Sequence, residues 1–236
     1  MKSSFTLVLL RHGQSVYNLE RRFTGWTDVD LSPQGEEEAR RAGRLLRSQG
    51  LDFDLAFSSL LKRAIRTLEI VSEEMDLARV PRVMAWELNE RHYGSLQGRT
   101  WEEVAAEFGP EQVQLWRRGF WDIPPPLDPD DPRHPRFDRR YRDLPRDRLP
   151  SAESLADVSR RVVPFWNARI APEIRSGRRV LVVSHGNALR ALVKHLDGIS
   201  DQGISKVEIP TGVPIIYELD GDLRPMARHL LSERGQ

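Results

Sequence analysis

The sequence predicts an α/β fold, a three-layer α/β/α sandwich built on a mostly parallel central sheet. Three observations predict it. Short apolar runs alternate with longer segments whose apolar residues recur at helical spacing, the pattern of successive βα units. Two of those runs, Leu7–Leu10 and Val180–Val183, are continuously apolar, as strands covered on both faces must be. Both runs end alike, in Arg11-His12-Gly13 and in Ser184-His185-Gly186-Asn187. In open α/β sheets ligands bind beyond the carboxyl ends of the strands. Two histidines delivered there from opposite ends of the chain therefore point to one site.

The elements follow in order. Strand 5–10 leads into a loop over 13–31 that contains Thr24-Gly25-Trp26-Thr27-Asp28. Ser32 then caps a helix with Pro33 in its first turn, and Ala39, Ala42, Leu45 and Leu46 recur at helical spacing until Gly50 stops it. Leu55–Phe57 reads as a second strand, with Ser58-Ser59 capping a helix whose apolar side carries Leu61, Ala64, Ile65, Leu68 and Val71. Val83–Leu88 is a third strand, closing at Asn89-Glu90-Arg91-His92-Tyr93-Gly94. Helices follow over Thr100–Phe108, where Thr100 and Glu103 form a capping box, and over Glu111–Phe120.

Residues 121–150 hold eight of the sixteen prolines, so regular helix or sheet is excluded there. A loop of that length inside a domain is usually functional, and the segment is expected to fold over the site as a lid. A long helix starts at Ser151, to be kinked or broken by Pro164 and Pro172. After the strand to Val183 come a helix over Asn187–Leu196, a strand over Val213–Leu219, a turn at Asp220-Gly221-Asp222 and a final strand over Leu223–Leu230. No linker divides the chain. The expectation is a single domain over residues 1–236, with 89–150 inserted beside the site.

Composition removes several classes of function. The chain has no cysteine, which excludes disulfides, thiolate catalysis and Cys-ligated zinc. With 36 basic and 35 acidic residues the net charge of +1 gives no footprint for nucleic acid. No segment approaches the ~20 apolar residues of a membrane span. The N-terminal apolar run, broken by Arg11, is too short for a signal peptide. The expected location is the cytoplasm.

The chemistry concentrates in a few residues. Arg63 falls in the first turn of its helix, where a cation opposes the helix dipole at a cost of ~0.3–1 kcal/mol. An anionic ligand shared with that helix end would offset this. Arg11, Arg63, His12 and His185 around one point would suit a phosphoryl group, whose oxygens match guanidinium forks. Gly13 and Gly186 would let the backbone approach the ligand closely. Glu90, at the end of the third strand, could reach the same edge and serve as a general acid–base.

Arg11-His12-Gly13-Gln14-Ser15 resembles the signature of the histidine phosphatase superfamily. Within it the chain is similar to the cofactor-dependent phosphoglycerate mutases, which use 2,3-bisphosphoglycerate. The similarity runs through Phe23-Thr24-Gly25-Trp26, Arg63-Ala64, Glu90-Arg91-His92-Tyr93-Gly94, Trp116-Arg117-Arg118-Gly119, Glu153-Ser154-Leu155, His185-Gly186-Asn187 and Ile209-Pro210-Thr211-Gly212-Val213-Pro214. The resemblance implies that His12 is a nucleophile carrying a phosphoryl group, its other ring nitrogen bonded to a backbone carbonyl. It implies that Arg11, Arg63 and His185 bind that group and that Glu90 moves the proton of the substrate hydroxyl. Ser15, Asn18, Thr24, Gly25, Arg91, Tyr93, Arg117, Arg118, Gly186 and Asn187 would contact substrate or phosphate. It also implies interconversion of 3-phosphoglycerate and 2-phosphoglycerate, a 2,3-bisphosphoglycerate primer, no metal, and a homodimer or homotetramer.

The chain departs from the family pattern at two places. The family's substrate-contacting lysine is Trp101 here, and Arg99 either supplies the missing cation or points to solvent. The chain ends at Gln236, before the mobile tail of many members, which would open the site to water. Both departures would favour the alternative, a phosphomonoesterase using the same phosphohistidine. A metal hydrolase lacks a compact ligand motif here and would place a dication beside Arg11. A non-catalytic binding module would be expected to lose His12 or Glu90, and neither is lost.

Overall fold

The computed structural model describes residues 4–232. Along the chain run β1 (Phe5–Arg11), α1 (Val16–Leu19), α2 (Pro33–Ser48), β2 (Leu55–Ser58), α3 (Lys62–Glu74), β3 (Arg82–Met84), α4 (Trp101–Phe108) and α5 (Pro110–Arg118). They continue as α6 (Leu155–Phe165), α7 (Ala171–Arg175), β4 (Val180–Ser184), α8 (Gly186–Asp197), β5 (Pro214–Leu219) and β6 (Pro225–Leu230). The six strands form one sheet in the order β3-β2-β4-β1-β5-β6. The first four are mutually parallel, while β5 and β6 add antiparallel at one edge.

Alternation along the strands splits the core into two layers, because successive side chains point to opposite faces. Leu7 and Leu9 of β1, Phe57, Val180, Val182, Ile215 and Tyr217 pack with Leu155, Val158 and Val162 of α6 and with Leu189 and Leu192 of α8. Val8 and Leu10, Ala56, Leu181, Val183 and Ile216 pack with Ala42 and Leu46 of α2 and with Leu68 and Val71 of α3. The sandwich therefore has the layers expected. A satellite cluster of Phe23, Tyr93, Leu96, Val104, Val113 and Trp116 seats α4 and α5 beside the sheet.

The strand neighbours β1 and β4 send their next long helices, α2 and α8, to opposite faces of the sheet. That divergence opens a crevice at the carboxyl ends of the two strands, the usual ligand site of such sheets.

Several expected boundaries shift, each for a local reason. The third strand is only Arg82–Met84 and gives way to a single 3-10 turn at Trp86–Leu88. Helix α3 is capped at Leu61 with no side-chain bond, so Ser58 and Ser59 are free for other use. The helix expected from Ser151 begins at Leu155, where Ser154 and Asp157 form a capping box. Pro164 sits inside it, and the lost amide is accommodated by a π turn at Trp166–Ile170 before α7, rather than by a break. Helix α5 stops at Arg118, after which the Phe120 carbonyl accepts from the Ala156 amide. Leu223 lies in the turn at φ 62°, so the last strand starts at Pro225. The expectation about the tail falls on residues 233–236, outside the described residues.

Residues 121–150 have no α-helix or strand, only 3-10 turns at Pro135–Phe137, Arg139–Tyr141 and Arg146–Arg148. Side chains anchor the segment. Tyr141 is buried, its ring 4.8 Å from Trp26, and its hydroxyl accepts from Asn89 Nδ2 at 2.8 Å. Arg140 pairs with Asp28 at 2.8 Å and also donates to the Leu60 carbonyl. Arg133 donates to the Gln97 carbonyl. None of residues 121–150 lines the crevice. In this structure the segment braces the outer side of the walls and does not cover the crevice as a lid, held by these side chains and by backbone bonds from the Ser95 amide to the Pro125 carbonyl and from the Leu127 amide to the Ser151 carbonyl.

Candidate active site

Register brings the two histidines together. β1 and β4 pair with Arg11 opposite Ser184, and the His12 amide donates to the Ser184 carbonyl at 2.9 Å. His12 and His185 therefore leave the sheet side by side, their ring centres 5.0 Å apart. Both are buried. Burial, with Arg63 the largest charge acting on each, pushes both imidazoles well below the usual histidine range, so both are neutral.

The ring protons can be assigned from partners. His12 Nδ1 lies 2.7 Å from the Gly13 carbonyl, which only accepts, so Nδ1 donates and Nε2 keeps a free lone pair. His185 Nε2 lies 2.7 Å from Ser59 Oγ, which already accepts from the Leu61 amide. Among the described residues the Ser59 hydroxyl hydrogen has one acceptor, Nε2, leaving the proton of His185 on Nδ1. That Nδ1 is buried and has no hydrogen-bond partner among the described residues.

Two guanidiniums flank the pair. Arg63, 1% exposed, donates to the Thr27 and Gly25 carbonyls, while Arg11 donates to the Ile209 carbonyl. Neither has a carboxylate ion-pair partner among the described residues, and each has a buried Nε without an acceptor. Burial lowers both, Arg63 to about 10, yet both stay charged at neutral pH. A buried positive cluster with unsatisfied donors and a free imidazole lone pair, adjoining the crevice through Arg11, can hold a phosphoryl group and attack it.

Glu90 completes the inner site. Its Oε1 accepts from the amides of Arg91 at 2.8 Å and Asn187 at 3.1 Å, the latter in the first turn of α8. A Cβ on Gly186 would lie 3.7 Å from Oε2 and 3.5 Å from the Arg11 guanidinium. The Glu90 carbonyl accepts from Trp26 Nε1 and Arg161 Nη2. Arg161 also donates to the Glu87 and Asn89 carbonyls and pairs with Glu153 at 2.7 Å, both side chains 6% exposed. This ion pair fixes the loop that carries Glu90.

The crevice in front is lined by Arg11, Asn18, Thr24, Gly25, Glu90, Tyr93, Trp101, Arg117, Arg118, Gly186 and Asn187, all named from the sequence. His12, Arg63 and His185 do not line it; they join the lining residues Arg11, Gly25 and Gly186 through chain or hydrogen bond. Ser15 is withdrawn: its hydroxyl caps α1 by accepting from the Asn18 amide. Arg91 is also withdrawn, fully buried with its guanidinium 4.8 Å from the Tyr93 ring centre and bonded to the Tyr93 hydroxyl and the Trp116 carbonyl. It supports Tyr93 from behind. Arg99 pairs with Glu107 at 2.6 Å and stays outside the crevice, so it does not supply a cation there. Gly13 is required for a different reason than expected: a Cβ there would fall 2.0 Å from the Gly35 carbonyl oxygen, so it admits helix α2, not the ligand.

Sequence reasoning missed Ser59, Arg22 and Arg190. Arg22 and Arg190 line the crevice, and burial lowers Arg190 to about 10. A signal existed for Arg190, three residues after Asn187 on one helix face. Ser59 lies just past the carboxyl end of β2, the same sheet edge as the histidines. Among the described residues no cluster of three His, Cys, Asp or Glu side chains could hold a metal ion, and no helix is long and apolar enough to cross a membrane.

Comparison with known proteins fits this geometry. A family model for the histidine phosphatase superfamily (branch 1) matches residues 7–132 and 126–229. A 2,3-bisphosphoglycerate-dependent phosphoglycerate mutase from Nitrosococcus oceani is 56% identical over 227 residues, covering 96% of this chain and 95% of the relative. Another of that name, from Nitratidesulfovibrio vulgaris, is 58% identical over 228 residues, covering 97% and 92%. Among solved structures, a mycobacterial glucosyl-3-phosphoglycerate phosphatase in complex with VO3 matches with a TM-score of 0.71 and 26% identity, covering 96% of both chains. YhfR of Bacillus stearothermophilus matches in fold, with a TM-score of 0.70 at 24% identity, covering 97% of this chain and 96% of that one.

Proposed function

The chain belongs to the histidine phosphatase superfamily, and from that premise we propose that it works as a 2,3-bisphosphoglycerate-dependent phosphoglycerate mutase, interconverting 3-phosphoglycerate and 2-phosphoglycerate. One observation carries the reading: two guanidiniums without carboxylate ion-pair partners among the described residues and two neutral imidazoles lie together in one buried cluster. That is a site for a transferring phosphoryl group.

His12 Nε2 is the nucleophile, with Nδ1 tied to the Gly13 carbonyl so that the attacking nitrogen has its lone pair. Arg11, Arg63 and the Nδ1–H of His185 hold the equatorial oxygens, where charge develops in phosphoryl transfer. Glu90 takes the proton of the accepting hydroxyl and returns it in the reverse direction. Asn18, Thr24, Gly25, Tyr93, Arg117, Arg118, Gly186 and Asn187 grip the rest of the substrate.

The residues fit the bisphosphorylated primer as well. Arg22, Arg117, Arg118 and Arg190 add cations to the crevice beyond the Arg11–Arg63 pair, enough for a ligand with more than one anion. When bound, 2,3-bisphosphoglycerate supplies the phosphoryl group that loads His12. On this reading the enzyme acts in the cytoplasm on small phosphoglycerates, without metal, nucleic acid or membrane, as a homodimer or homotetramer.

The test has two arms. Incubation with labelled 2,3-bisphosphoglycerate should give an acid-labile, alkali-stable label that His12→Ala abolishes. Given 3-phosphoglycerate and a trace of the primer, the enzyme should form 2-phosphoglycerate. Release of phosphate without isomer formation would replace the mutase with a phosphomonoesterase.

A further inference from the structure

The cations of the crevice are held in two ways. Arg11 donates to the Ile209 carbonyl, Arg22 to the Gly98 carbonyl and Glu20, and Arg118 to Glu208. Arg190 donates to the Ile204 and Arg118 carbonyls and to Asn187 Oδ1. Each thus spends some of its hydrogens on the protein. Arg117 is different. Its guanidinium makes no hydrogen bond or ion pair among the described residues, and instead sits 3.5 Å from the centre of the Trp101 ring.

Stacking occupies the face of a guanidinium and leaves its five in-plane donors free. Trp101 is well built for this. It is the first residue of α4, fixed by the Thr100–Glu103 capping box, and its amide donates to the Arg21 carbonyl at 2.9 Å. Its ring packs on the cluster of Phe23, Tyr93 and Trp116 that seats α4 and α5. Arg117 leaves the last turn of α5. The two helices therefore set an aromatic plate against a cation whose in-plane donors have no partner among the described residues, in the crevice both residues line.

We propose that Trp101 is a positioning residue: it holds Arg117 with all its donors free to clamp the second anion of the substrate, the carboxylate of a phosphoglycerate, and so favours two-anion substrates over simple phosphate esters. The proposal rests on the mutase reading. It differs from a purely structural role for Trp101, which would change stability or turnover but not discriminate between ligands by their second anion.

The experiment compares Trp101→Leu, Trp101→Phe, Arg117→Gln and the Trp101→Leu/Arg117→Gln double variant with the parent enzyme. Readouts are KM and kcat for 3-phosphoglycerate, Ki for orthovanadate, which mimics the transferring group and has no second anion, and the melting temperature. Trp101→Leu should raise KM about tenfold, the scale of a partly desolvated cation–π contact, with kcat changed less than about twofold and vanadate Ki unchanged. Trp101→Phe, which keeps a ring face, should recover most of the loss. The double variant should be no worse than Arg117→Gln, because the two residues act as one unit. Additive losses, a parallel rise in vanadate Ki, or an unchanged KM in Trp101→Leu would overturn the proposal. Should the parent release phosphate without making 2-phosphoglycerate, the mutase reading fails, and the same comparison run on phosphate release still decides the role of Trp101.

Discussion

Ser59 offers the sharpest test of how the inner site is wired. Its hydroxyl is the partner found for His185 Nε2, at 2.7 Å, in a fully buried environment. Ser59→Ala deletes that bond and leaves Nε2 buried and bare. The lost hydrogen bond alone is worth about 1–2 kcal/mol, near tenfold in rate. The variant also removes what fixes the tautomer. If the proton moves to Nε2, the phosphoryl group loses its Nδ1–H donor, and losing one such donor typically costs ~10²–10³-fold in kcat. The expected fall in kcat thus lies between about 10-fold and about 10³-fold, with a smaller change in KM because the crevice lining is untouched. Ser59→Thr keeps a hydroxyl and should recover most of the activity. The assay pairs steady-state turnover with ¹⁵N NMR of the histidine rings, which reads the tautomer directly: Nδ1–H in the parent, a shift towards Nε2–H in Ser59→Ala. A Ser59→Ala enzyme with parental kcat, or a parent His185 protonated on Nε2, would refute the reasoning.

Three further outcomes follow from the same contacts. His12 and His185 are held well below the ordinary histidine range and His92 is lowered to about 3, chiefly by burial. The folded state keeps them neutral while the unfolded chain takes up protons below about pH 6.5, so stability is full above that pH and falls on acidification by up to about 1.4 kcal/mol per histidine per pH unit; a urea midpoint flat from pH 8 to 5 would contradict this. Glu153→Gln strands the Arg161 charge in the core and should cost about 3–5 kcal/mol, lowering the melting temperature and, by loosening the Glu90 loop, turnover as well; calorimetry beside the mutase assay checks both. Gly13→Ala drives a Cβ to 2.0 Å from the Gly35 oxygen and should not fold, whereas Gly186→Ala meets only ordinary contacts from 3.5 Å outward and should stay within about 1 kcal/mol of the parent in denaturant titration; equal behaviour of the two would be the contrary result.

What could be read from the sequence was what local pattern encodes. The apolar runs ending in His12 and His185, the capped helix after Ser32 and the Thr100–Glu103 box all lie in contiguous residues, and the structure has them where the pattern puts them. What could not be read depends on partners distant in the chain. A serine after a strand looks like a helix cap, and nothing local says that Ser59 faces a histidine 126 residues away. Arg91 beside Glu90 looks like a ligand contact until the Trp116 carbonyl and the Tyr93 ring are seen to claim it. Residues 121–150 carry no periodicity at all, so only their anchors to residues elsewhere in the chain reveal that they brace the site from outside. Arg99 and Trp101, two residues apart, were separated only by the helix start that turns one to Glu107 and the other to Arg117.

The pairing of β1 with β4 has a consequence for how the enzyme comes into being. Arg11 meets Ser184 across the sheet, so of the six strands the one that bears the nucleophile is made first and this neighbour fourth, over Val180–Ser184. Chains emerge at ~5–20 residues per second, so His12 spends on the order of ten seconds or more outside the ribosome before its partner strand exists. During that time β1 is an apolar segment with neither of its neighbours, β4 and β5, and pairings this distant in sequence form slowly. A truncated chain ending between residues 90 and 180 would contain the nucleophile, Arg63 and Glu90 and still lack β4 and His185. Phosphoryl chemistry is thereby withheld from products of synthesis that stop before β4, and the burden of protecting β1 from aggregation falls on the interval before β4 arrives.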